Sequence, residues 1–457
     1  MTDTFPSLFA AACALAQGKV SSRHLTELAL ARIHDKEGEG RQTFSVVHAD
    51  SARKQADLTD TRRRAGEPLP PLAGLLMSVK DLFDEAGSIT RAGSVVLSDA
   101  PPAQQDAPAI ALARQAGLIS IGRTTMTEFA FSGVGMNPHT GTPANPWDRA
   151  NRRIPGGSSS GAAVSVSDGM AFVGIGSDTG GSCRIPAALT GLTGYKPTAS
   201  RISTRGTVPL SSTLDSVGSL GRTVSCCWAA DRALAGLPVD WSARPEARKT
   251  SRPRLGVLQN YVLDGMDDTV ASTWHAALKQ LEKSGAILED VCFSELENLP
   301  QINRLGGFPA PESLAWHTPL LEHKSEAYDP FVLKRILRGK EQSAVDYLTL
   351  QRERQALINR AAQVIAPYDA LIMPTVPVIA PHIADLVADE TLLTRTNLLL
   401  LRNPTVANFI NGCAISLPCH AAGAAPAGLM AMQTGHKDSH LFHVAAWLEE
   451  ALRLGKQ

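Results

Sequence analysis

Two clusters of glycine and serine, residues 156–161 and 174–182, contain the side chains whose types and spacing could support covalent catalysis. Ordered glycine loses much conformational entropy, so its concentration here indicates backbone conformations or close approaches that a Cβ would forbid. Successive glycine N–H groups near a helix start can also converge on an anion or an oxyanion. A serine hydroxyl becomes a good nucleophile when a neighbouring base accepts its proton. The two clusters are therefore the candidate reactive part of the chain.

Three chemical interpretations compete with a purely structural one. The spacing Gly176-x-x-x-x-Gly181-Ser182 approaches a phosphate-binding loop, but no lysine stands between Gly181 and Ser182. Residues 157–161 satisfy the G-x-S-x-G pattern of a nucleophile elbow, which must follow a buried strand, whereas residues 152–155 are not strand-like. In the third interpretation one serine from each cluster belongs to a single site, and a lysine from elsewhere activates it. Either cluster alone would be better explained as a glycine-rich turn.

Further motifs surround these clusters in a characteristic order. They are Pro71-Leu72-Ala73-Gly74, Val79-Lys80-Asp81, Thr90-Arg91-Ala92-Gly93-Ser94, Asn145-Pro146-Trp147-Asp148, Pro155-Gly156-Gly157-Ser158-Ser159-Ser160-Gly161, Asp178-Thr179-Gly180-Gly181-Ser182-Cys183-Arg184-Ile185-Pro186-Ala187 and Gly191-Leu192-Thr193-Gly194-Tyr195-Lys196-Pro197. With this set the chain resembles the amidase signature family, densely over about residues 71–221 and more weakly towards the C-terminus. Chance does not explain so many motifs in one order, which favours the third interpretation.

The resemblance implies a Ser-cisSer-Lys triad. Lys80 is then the base, Ser158, held in a cis peptide, is the bridging serine, and Ser182 is the nucleophile. The two serines are 24 residues apart, which matches the family without a gap. These roles are chemically consistent, because Ser158 can accept a proton from Ser182 and donate its own to Lys80. The lysine must be kept neutral near pH 7 by burial or by its neighbours.

The resemblance also implies the surroundings of the triad. The backbone N–H groups of Thr179, Gly180 and Gly181 are expected to form the oxyanion hole. Ala130 and Ser132 are expected to lie nearest the substrate in the acyl pocket.

Other residues near the clusters are expected to have structural roles. Asp178 and Arg184 flank the nucleophile, and we expect them to pair and brace its loop. Cys183 is better explained as a small buried side chain than as a reactive thiol. Two departures from the family pattern, Cys413 and the pair Cys419-His420, stand where we expect the floor of the pocket.

Elsewhere the chain alternates strand-like and helix-like segments, which predicts an α/β fold with a mostly parallel or mixed sheet. The sequence predicts strands at 75–80, 118–121, 255–258 and 286–291. It predicts a first helix after Ser21-Ser22, with Leu25, Leu28, Ala29 and Ile33 on one face. Further helices are predicted over 51–64, from a start at 106–108, and over 268–284. Together with the resemblance, this predicts a single large amidase-signature domain over residues 1–457, with a mixed central β-sheet covered by helices on both faces. Its signature core would be about 71–221 and its variable, substrate-shaping region about 225–457. The best internal boundary is the polar stretch 240–253.

Composition and charge argue against several classes of protein. The 457 residues are 44% hydrophobic and 19% charged, which is typical of a globular protein with a sizeable core. With 44 basic and 44 acidic side chains, binding to nucleic acid or an anionic membrane by charge alone is not expected. We expect no membrane span and no signal peptide, since no clean apolar run of 18 residues exists and the N-terminus lacks a basic, then apolar start. Seven scattered cysteines without a C-x-x-C pair indicate free thiols, and hence a cytoplasmic location.

The activity that the resemblance implies is amide hydrolysis through an acyl-serine, which could extend to esters and carbamates. The alternative is the amidotransferase that converts glutamyl-tRNA, whose catalytic A chain acts with partner subunits on tRNA-bound acyl groups. Against it, residues 131–139 lack the Met-Gly-Ser-Ser-Thr-Glu run expected of that A chain, and Leu82-Phe83 stands in place of its usual Asn-Ile. We expect a small-molecule partner and no cofactor or metal; His436 and His440 lack the acidic partner of a zinc motif. The natural substrate and the oligomeric state are left open.

Overall fold

Strands from both halves of the chain join one mixed β-sheet in the computed structural model, which describes residues 7–247 and 252–454. The strands are β1 (Phe44–Val47), β2 (Leu76–Lys80), β3 (Ile119–Thr124), β4 (Val173–Ser177), β5 (Thr193–Lys196), β6 (Val217–Gly221), β7 (Arg254–Leu258), β8 (Ile287–Val291), β9 (Ala370–Pro374), β10 (Cys413–Pro418) and β11 (Gly428–Gln433). Their order across the eleven-stranded sheet is β1-β3-β2-β4-β6-β5-β10-β11-β9-β7-β8. Parallel pairs join β2 to β3 and β4, and β7 to β8 and β9. The remaining neighbours are antiparallel.

Helices precede the first strand, follow the last one and occupy most of the intervals between strands. Within the described residues they are α1 (Leu8–Ala16), α2 (Ser22–His34), α3 (Gly40–Thr43), α4 (Ala49–Arg64), α5 (Pro108–Gln115), α6 (Ser160–Ser167), α7 (Arg184–Thr190), α8 (Val224–Leu234), α9 (Asp268–Lys283), α10 (Leu299–Ile302), α11 (Pro309–Lys324), α12 (Pro330–Leu337), α13 (Ala344–Ile365), α14 (Ile383–Ala388), α15 (Glu390–Phe409) and α16 (Asp438–Leu454). None of the described helices is both long and apolar enough to span a membrane.

The helices cover the central strands on both faces. Successive strand side chains point to opposite faces, and every residue of β2, β3, β4, β5 and β6 is buried. On β6, Leu220 packs with residues of α6 and α7, whereas Val217 packs in a larger core with residues of α8 and α16. The expected α/β architecture, one large domain with a mixed sheet between helical layers, is confirmed.

The legible elements lie within a few residues of where the sequence predicted them. Helix α2 is capped by Ser21, whose hydroxyl accepts from the His24 N–H. One face residue was wrong: Leu28 is 39% exposed, and Leu30 is buried in the core instead.

The polar stretch 240–253 does not separate two sheets. Residues 248–251 lie outside the described residues, and the described part on their C-terminal side enters β7 directly. Strand β7 pairs with β8 and β9, so the chain on both sides of the stretch contributes to the same sheet.

Candidate active site

Lys80 is the last residue of β2, and its side chain is fully buried between neighbouring strand ends. Its Nζ lies 2.7 Å from Ser158 Oγ and 2.8 Å from Ser177 Oγ. Ser177 ends β4, which runs parallel to β2, so the carboxyl ends of the two strands bring the lysine and this serine together. Ser177 was not among the predicted site residues.

Ser158 precedes α6, in a turn that approaches a second loop closely. The Gly157–Ser158 peptide bond is cis, which is the geometry that the family resemblance implies. A Cβ on Gly157 would lie 2.6 Å from the Cα of Gly135, so a side chain there would force the loops apart. The next serine, Ser159, is fully buried, and its hydroxyl donates to the carbonyl of Ser177 at 3.3 Å. Because Ser159 follows a turn and not a buried strand, the nucleophile-elbow interpretation is not supported.

Ser182 stands two residues before α7, and its side chain lines a large cavity. Its carbonyl accepts the N–H of Ser159 at 3.2 Å, which joins the two glycine–serine clusters. Among the described residues no hydrogen bond connects the Ser158 and Ser182 hydroxyls. The Ser182 hydroxyl is thus available to a molecule in the cavity, and catalytic hydrogen bonds commonly tighten only when substrate is bound.

The Asp178 carboxylate holds the loop that carries Ser182. It accepts from the N–H groups of Gly181 (2.8 Å) and Cys183 (3.0 Å), from the Arg184 guanidinium (2.8 and 3.1 Å) and from the Asn408 amide (2.9 Å). Although burial opposes the charge, Arg184 holds the pKa of Asp178 well below its usual range. The expected pairing of Asp178 with Arg184 is confirmed, and both side chains are fully buried.

The expected oxyanion donors differ in their availability. The Gly181 N–H is taken up by Asp178, so that position does not offer a free donor as expected. By contrast, the N–H groups of Thr179, Gly180 and Ser182 have no hydrogen-bond partner within the described residues. Gly181 instead serves the loop conformation: its φ is +127°, and a Cβ there would lie 2.5 Å from that of Pro404.

Asp215 is a second buried carboxylate that the sequence analysis missed. The Thr179 hydroxyl donates to its Oδ1 at 2.5 Å, and the N–H groups of Leu210 and Ser211 donate to Oδ2 at 3.0 and 3.1 Å. Burial raises the pKa of Asp215 to about 6. Nothing in the local sequence marks this aspartate, because its contact with Thr179 is made across 36 residues.

Burial dominates the electrostatics of the site. It lowers the pKa of Lys80 to about 8, against the opposing negative charges of Asp178 and Asp215. It raises the pKa of the Cys183 thiol to about 12, which agrees with a structural cysteine and not a thiolate nucleophile. Lys196 is also buried with a pKa lowered to about 8, but its Nζ donates to the carbonyls of Pro197 and Gly412 and contacts neither serine. Geometry therefore distinguishes Lys80 as the candidate base.

A cavity of about 660 Å³ opens above Ser182. Ala130 and Ser132, the predicted substrate neighbours, line it together with Thr179 and Gly180. The Ser132 hydroxyl is fixed by Asn397 Oδ1 at 3.0 Å. Lys80 and Ser158 are not among the lining residues, and both are fully buried.

The departures Cys413 and Cys419-His420 do not form the floor of this cavity, contrary to expectation. Cys413 begins β10, and its thiol donates a hydrogen bond to the carbonyl of Thr434. Cys419 and His420 follow the end of β10 and contact Ala427. Within residues 7–247 and 252–454, no group of three or more His, Cys, Asp or Glu side chains is arranged to hold a metal ion.

The mixed eleven-stranded sheet between helical layers is the fold of amidases, since the chain superposes along almost its whole length on a crystal structure of an amidase. The chain belongs to the Amidase family, whose model matches residues 24–442. It is accordingly an amidase, an enzyme that hydrolyses amide C–N bonds.

Individual relatives span nearly the whole chain. The 2-amino-5-chloromuconic acid deaminase of Comamonas testosteroni is 36% identical over 96% of this chain and 95% of its own. The A chain of the glutamyl-tRNA(Gln) amidotransferase of Moorella thermoacetica is 30% identical over 95% of this chain and 94% of its own. A crystal structure of an amidase superposes with a TM-score of 0.86, at 28% identity, over 97% of this chain and 99% of that one.

Proposed function

We propose that this amidase acts through an acyl-enzyme on Ser182, with Ser158 as the proton relay and Lys80 as the base. The observation that carries the proposal is the 2.7 Å contact between the fully buried Lys80 Nζ and Ser158 Oγ. The residue after Ser158 is hydrogen-bonded to the carbonyl of Ser182, which lines the cavity. A base of lowered pKa, a hydroxyl in contact with it and a serine open to a cavity are the parts that serine-based acyl transfer requires.

In the acylation step Ser182 Oγ bonds to the amide carbon. Its proton passes to Ser158 Oγ, and the proton of Ser158 passes to the neutral Lys80 Nζ. The tetrahedral oxyanion accepts from the free N–H groups of Thr179 and Gly180, each of which would contribute about 3 kcal/mol by comparison with other acyl-transfer sites. When the C–N bond breaks, the proton returns from Lys80 through Ser158 to the leaving nitrogen.

Deacylation repeats these proton transfers, with water as the nucleophile in place of the Ser182 hydroxyl. Water loses a proton through Ser158 to Lys80 as its oxygen bonds to the acyl carbon, and Ser182 then recovers a proton as the acid leaves. Because the carbonyl carbons of esters and carbamates react in the same way, we propose that the site also cleaves ester and carbamate bonds.

The variable region completes this proposal. We propose that residues 1–457 form one amidase domain in the cytoplasm, and that the region 225–457 shapes the pocket. In support, most of the cavity wall beyond Thr179 and Ser182 comes from residues after Tyr261. No disulfide joins any of the seven cysteines within the described residues, which fits a reducing compartment.

Labelling with a fluorophosphonate tests the nucleophile. Incubation followed by peptide mass spectrometry should give one adduct, on the peptide that contains Ser182, and Ser182→Ala should lose both the adduct and turnover. Ser159→Ala is the matched control, because this neighbouring serine is buried and bonded to Ser177; it should keep the adduct. An adduct on Ser159 would overturn the assignment.

A second experiment separates hydrolase from amidotransferase. The purified chain should release ammonia or amine from a panel of aryl amides, aliphatic amides and carbamates without any other protein. If turnover required both glutamine and partner subunits, the chemistry at Ser182 would stand, but the protein would be part of an amidotransferase, like the Moorella relative.

A further inference from the structure

The wall of the cavity above Ser182 is rich in positive charge. Five arginines line it: Arg304, Arg335, Arg338, Arg395 and Arg402. No aspartate or glutamate occurs among its described lining residues. Within residues 7–247 and 252–454, none of these arginines forms an ion pair with a carboxylate. This is unusual in a chain with equal numbers of acidic and basic side chains.

Three of the arginines have roles that the fold explains. The Arg402 guanidinium donates to the carbonyls of Val262 (2.9 Å) and Asp264 (2.6 Å), and that of Arg338 donates to the carbonyl of Arg304. Arg304 itself donates to the carbonyl of Gln301. These side chains hold the backbone segments whose carbonyls accept their hydrogen bonds.

Arg395 is exposed on α15, whereas Arg335 is half-buried and forms no such bond to a carbonyl within the described residues. It lies on α12, and its guanidinium covers the ring of Phe131 at 4.7 Å from the centroid and that of Phe331 at 5.8 Å. Its Nε is buried and has no hydrogen-bond partner. Phe131 stands between Ala130 and Ser132, the residues expected nearest the substrate, so Arg335 faces the same chamber as Ser182.

The electrostatic surroundings of Arg335 are unfavourable without an anion. Burial, with a smaller contribution from the charge of Arg338, lowers the pKa of Arg335 to about 10, at which it is still charged at pH 7. The Arg335 side chain is half-buried, and a partly desolvated cation is stabilised by a hydrogen-bonded anion. The planar guanidinium, which lies over the ring of Phe131, offers an edge that matches a carboxylate.

We propose that the substrate of this site carries a carboxylate, separate from the scissile amide, and that Arg335 binds it. The substrate class is therefore the monoamides of dicarboxylic acids and related acidic amides. This inference rests on the proposed function, in which the scissile carbonyl is bonded by Ser182. The other cavity arginines surround this contact with positive potential, which favours the entry of anions.

Binding and turnover are measured with matched pairs of amides: linear dicarboxylic acid monoamides of four to eight carbons, and unsubstituted amides of the same chain length. Calorimetry with Ser182→Ala gives the dissociation constants without turnover, and ammonia release with the intact enzyme gives KM and kcat. We expect the best acidic amide to bind at least about tenfold more tightly than its neutral partner, the value of one charge-assisted hydrogen-bonded pair.

Arg335→Gln should remove this preference by raising KM for the acidic amide, with kcat and the neutral amide little changed. Arg335→Lys should restore part of it, because the charge returns without the planar fork. The matched control is Lys334→Gln, which removes an adjacent exposed cation paired with Glu390 and should change neither amide. Thermal unfolding of each variant shows whether it is folded.

The outcomes distinguish the two proposals. If no acidic amide binds better than its neutral partner, or if Arg335→Gln leaves the preference intact, the carboxylate inference is wrong even when Ser182 is labelled. If the preference is present and depends on Arg335 but Ser182 is not labelled, the cavity assignment stands and the proposed mechanism fails.

Discussion

Lys80 and Ser158 are 78 residues apart in the sequence, yet Lys80 Nζ lies 2.7 Å from Ser158 Oγ in a fully buried contact. The contact arises because Lys80 ends β2 while the turn bearing Ser158 leads into α6, which packs on the same part of the sheet. The proposed base is thus attached to a strand, and the proposed relay to a turn that lies close to a second loop. Such a site is pre-organised, so little reorganisation is required during the reaction.

The proposed base, Lys80, predicts how kcat/KM depends on pH. Since burial lowers the pKa of Lys80 to about 8, kcat/KM should rise with pH towards a plateau above that value and fall about tenfold per unit below it. Lys80→Ala should lose roughly 10²–10⁴-fold in kcat/KM together with that acid limb. Lys80→Arg should not restore activity, because the guanidinium stays protonated and cannot accept a proton.

Initial rates across pH 5–10, with the folded state of each variant checked by circular dichroism, measure this dependence. A Lys80→Arg enzyme of near-native rate would show that the position supplies only charge or structure, and the triad assignment would fail.

The two hydroxyls that contact Lys80 should differ in importance. Ser158 lies on the proposed path of the proton, whereas Ser177 Oγ only positions the amine, at 2.8 Å. Ser158→Ala should therefore reduce kcat/KM more than Ser177→Ala does, and less than Ser182→Ala, because the nucleophile survives. The comparison uses kcat/KM of the three variants on one amide at the plateau pH. Equal losses for Ser158→Ala and Ser177→Ala would mean that both serines merely hold the lysine.

The motifs of the sequence predict Lys80, Ser158 and Ser182 as site residues, and that assignment stays a prediction. Residues that reach the site only through packing of distant elements are not marked by any motif. Ser177 was missed although it stands one residue before the signature run, because only the adjacency of β2 and β4 places it at Lys80. Arg335 lies in the region where the family resemblance is weakest, and its contact with Phe131 follows from helix packing that no local pattern predicts.

The same limit applies to single residues within correctly predicted elements. The oxyanion expectation counted consecutive N–H groups, but the Asp178 carboxylate takes that of Gly181. Similarly, the helical period placed Leu28 on the buried face, whereas the packing of α2 buries Leu30 in its place. In both cases a residue that is distant in the sequence or packed from another element determines the contact or the burial. A local sequence pattern does not contain that information.

The Asp178–Arg184 pair predicts a large effect on stability. Asp178→Asn should destabilise the protein by about 3–5 kcal/mol, because it leaves the fully buried Arg184 guanidinium without its counter-charge. Urea unfolding monitored by fluorescence at pH 7 gives the free energy of unfolding. The control is Glu289→Gln, which breaks the exposed pair with Arg254 and should leave that free energy almost unchanged. A loss at Asp178 no greater than at Glu289 would contradict the bracing role.

The charge of Asp215 predicts a shift in the pKa of Lys80, and hence in the pH profile of kcat/KM. Its negative charge raises the pKa of Lys80, in opposition to burial. Asp215→Asn removes that charge, so the pKa of Lys80 should fall and the acid limb of kcat/KM should move to lower pH. Thr179→Val is the contrast, since it removes the hydroxyl that donates to Asp215 Oδ1 but leaves a carboxylate that is ionised near pH 8.

The measurement is the midpoint of the acid limb in the native enzyme and in both variants, on a single amide at fixed ionic strength. Asp215→Asn should move the midpoint downward, whereas Thr179→Val should lower the rate through the altered oxyanion loop and leave the midpoint in place. In the native enzyme the pKa of Asp215 is itself raised to about 6, so protonation of Asp215 below that pH should make the acid limb shallower than a single ionisation. A midpoint unchanged by Asp215→Asn in a folded variant would show that the charge at position 215 does not act on Lys80.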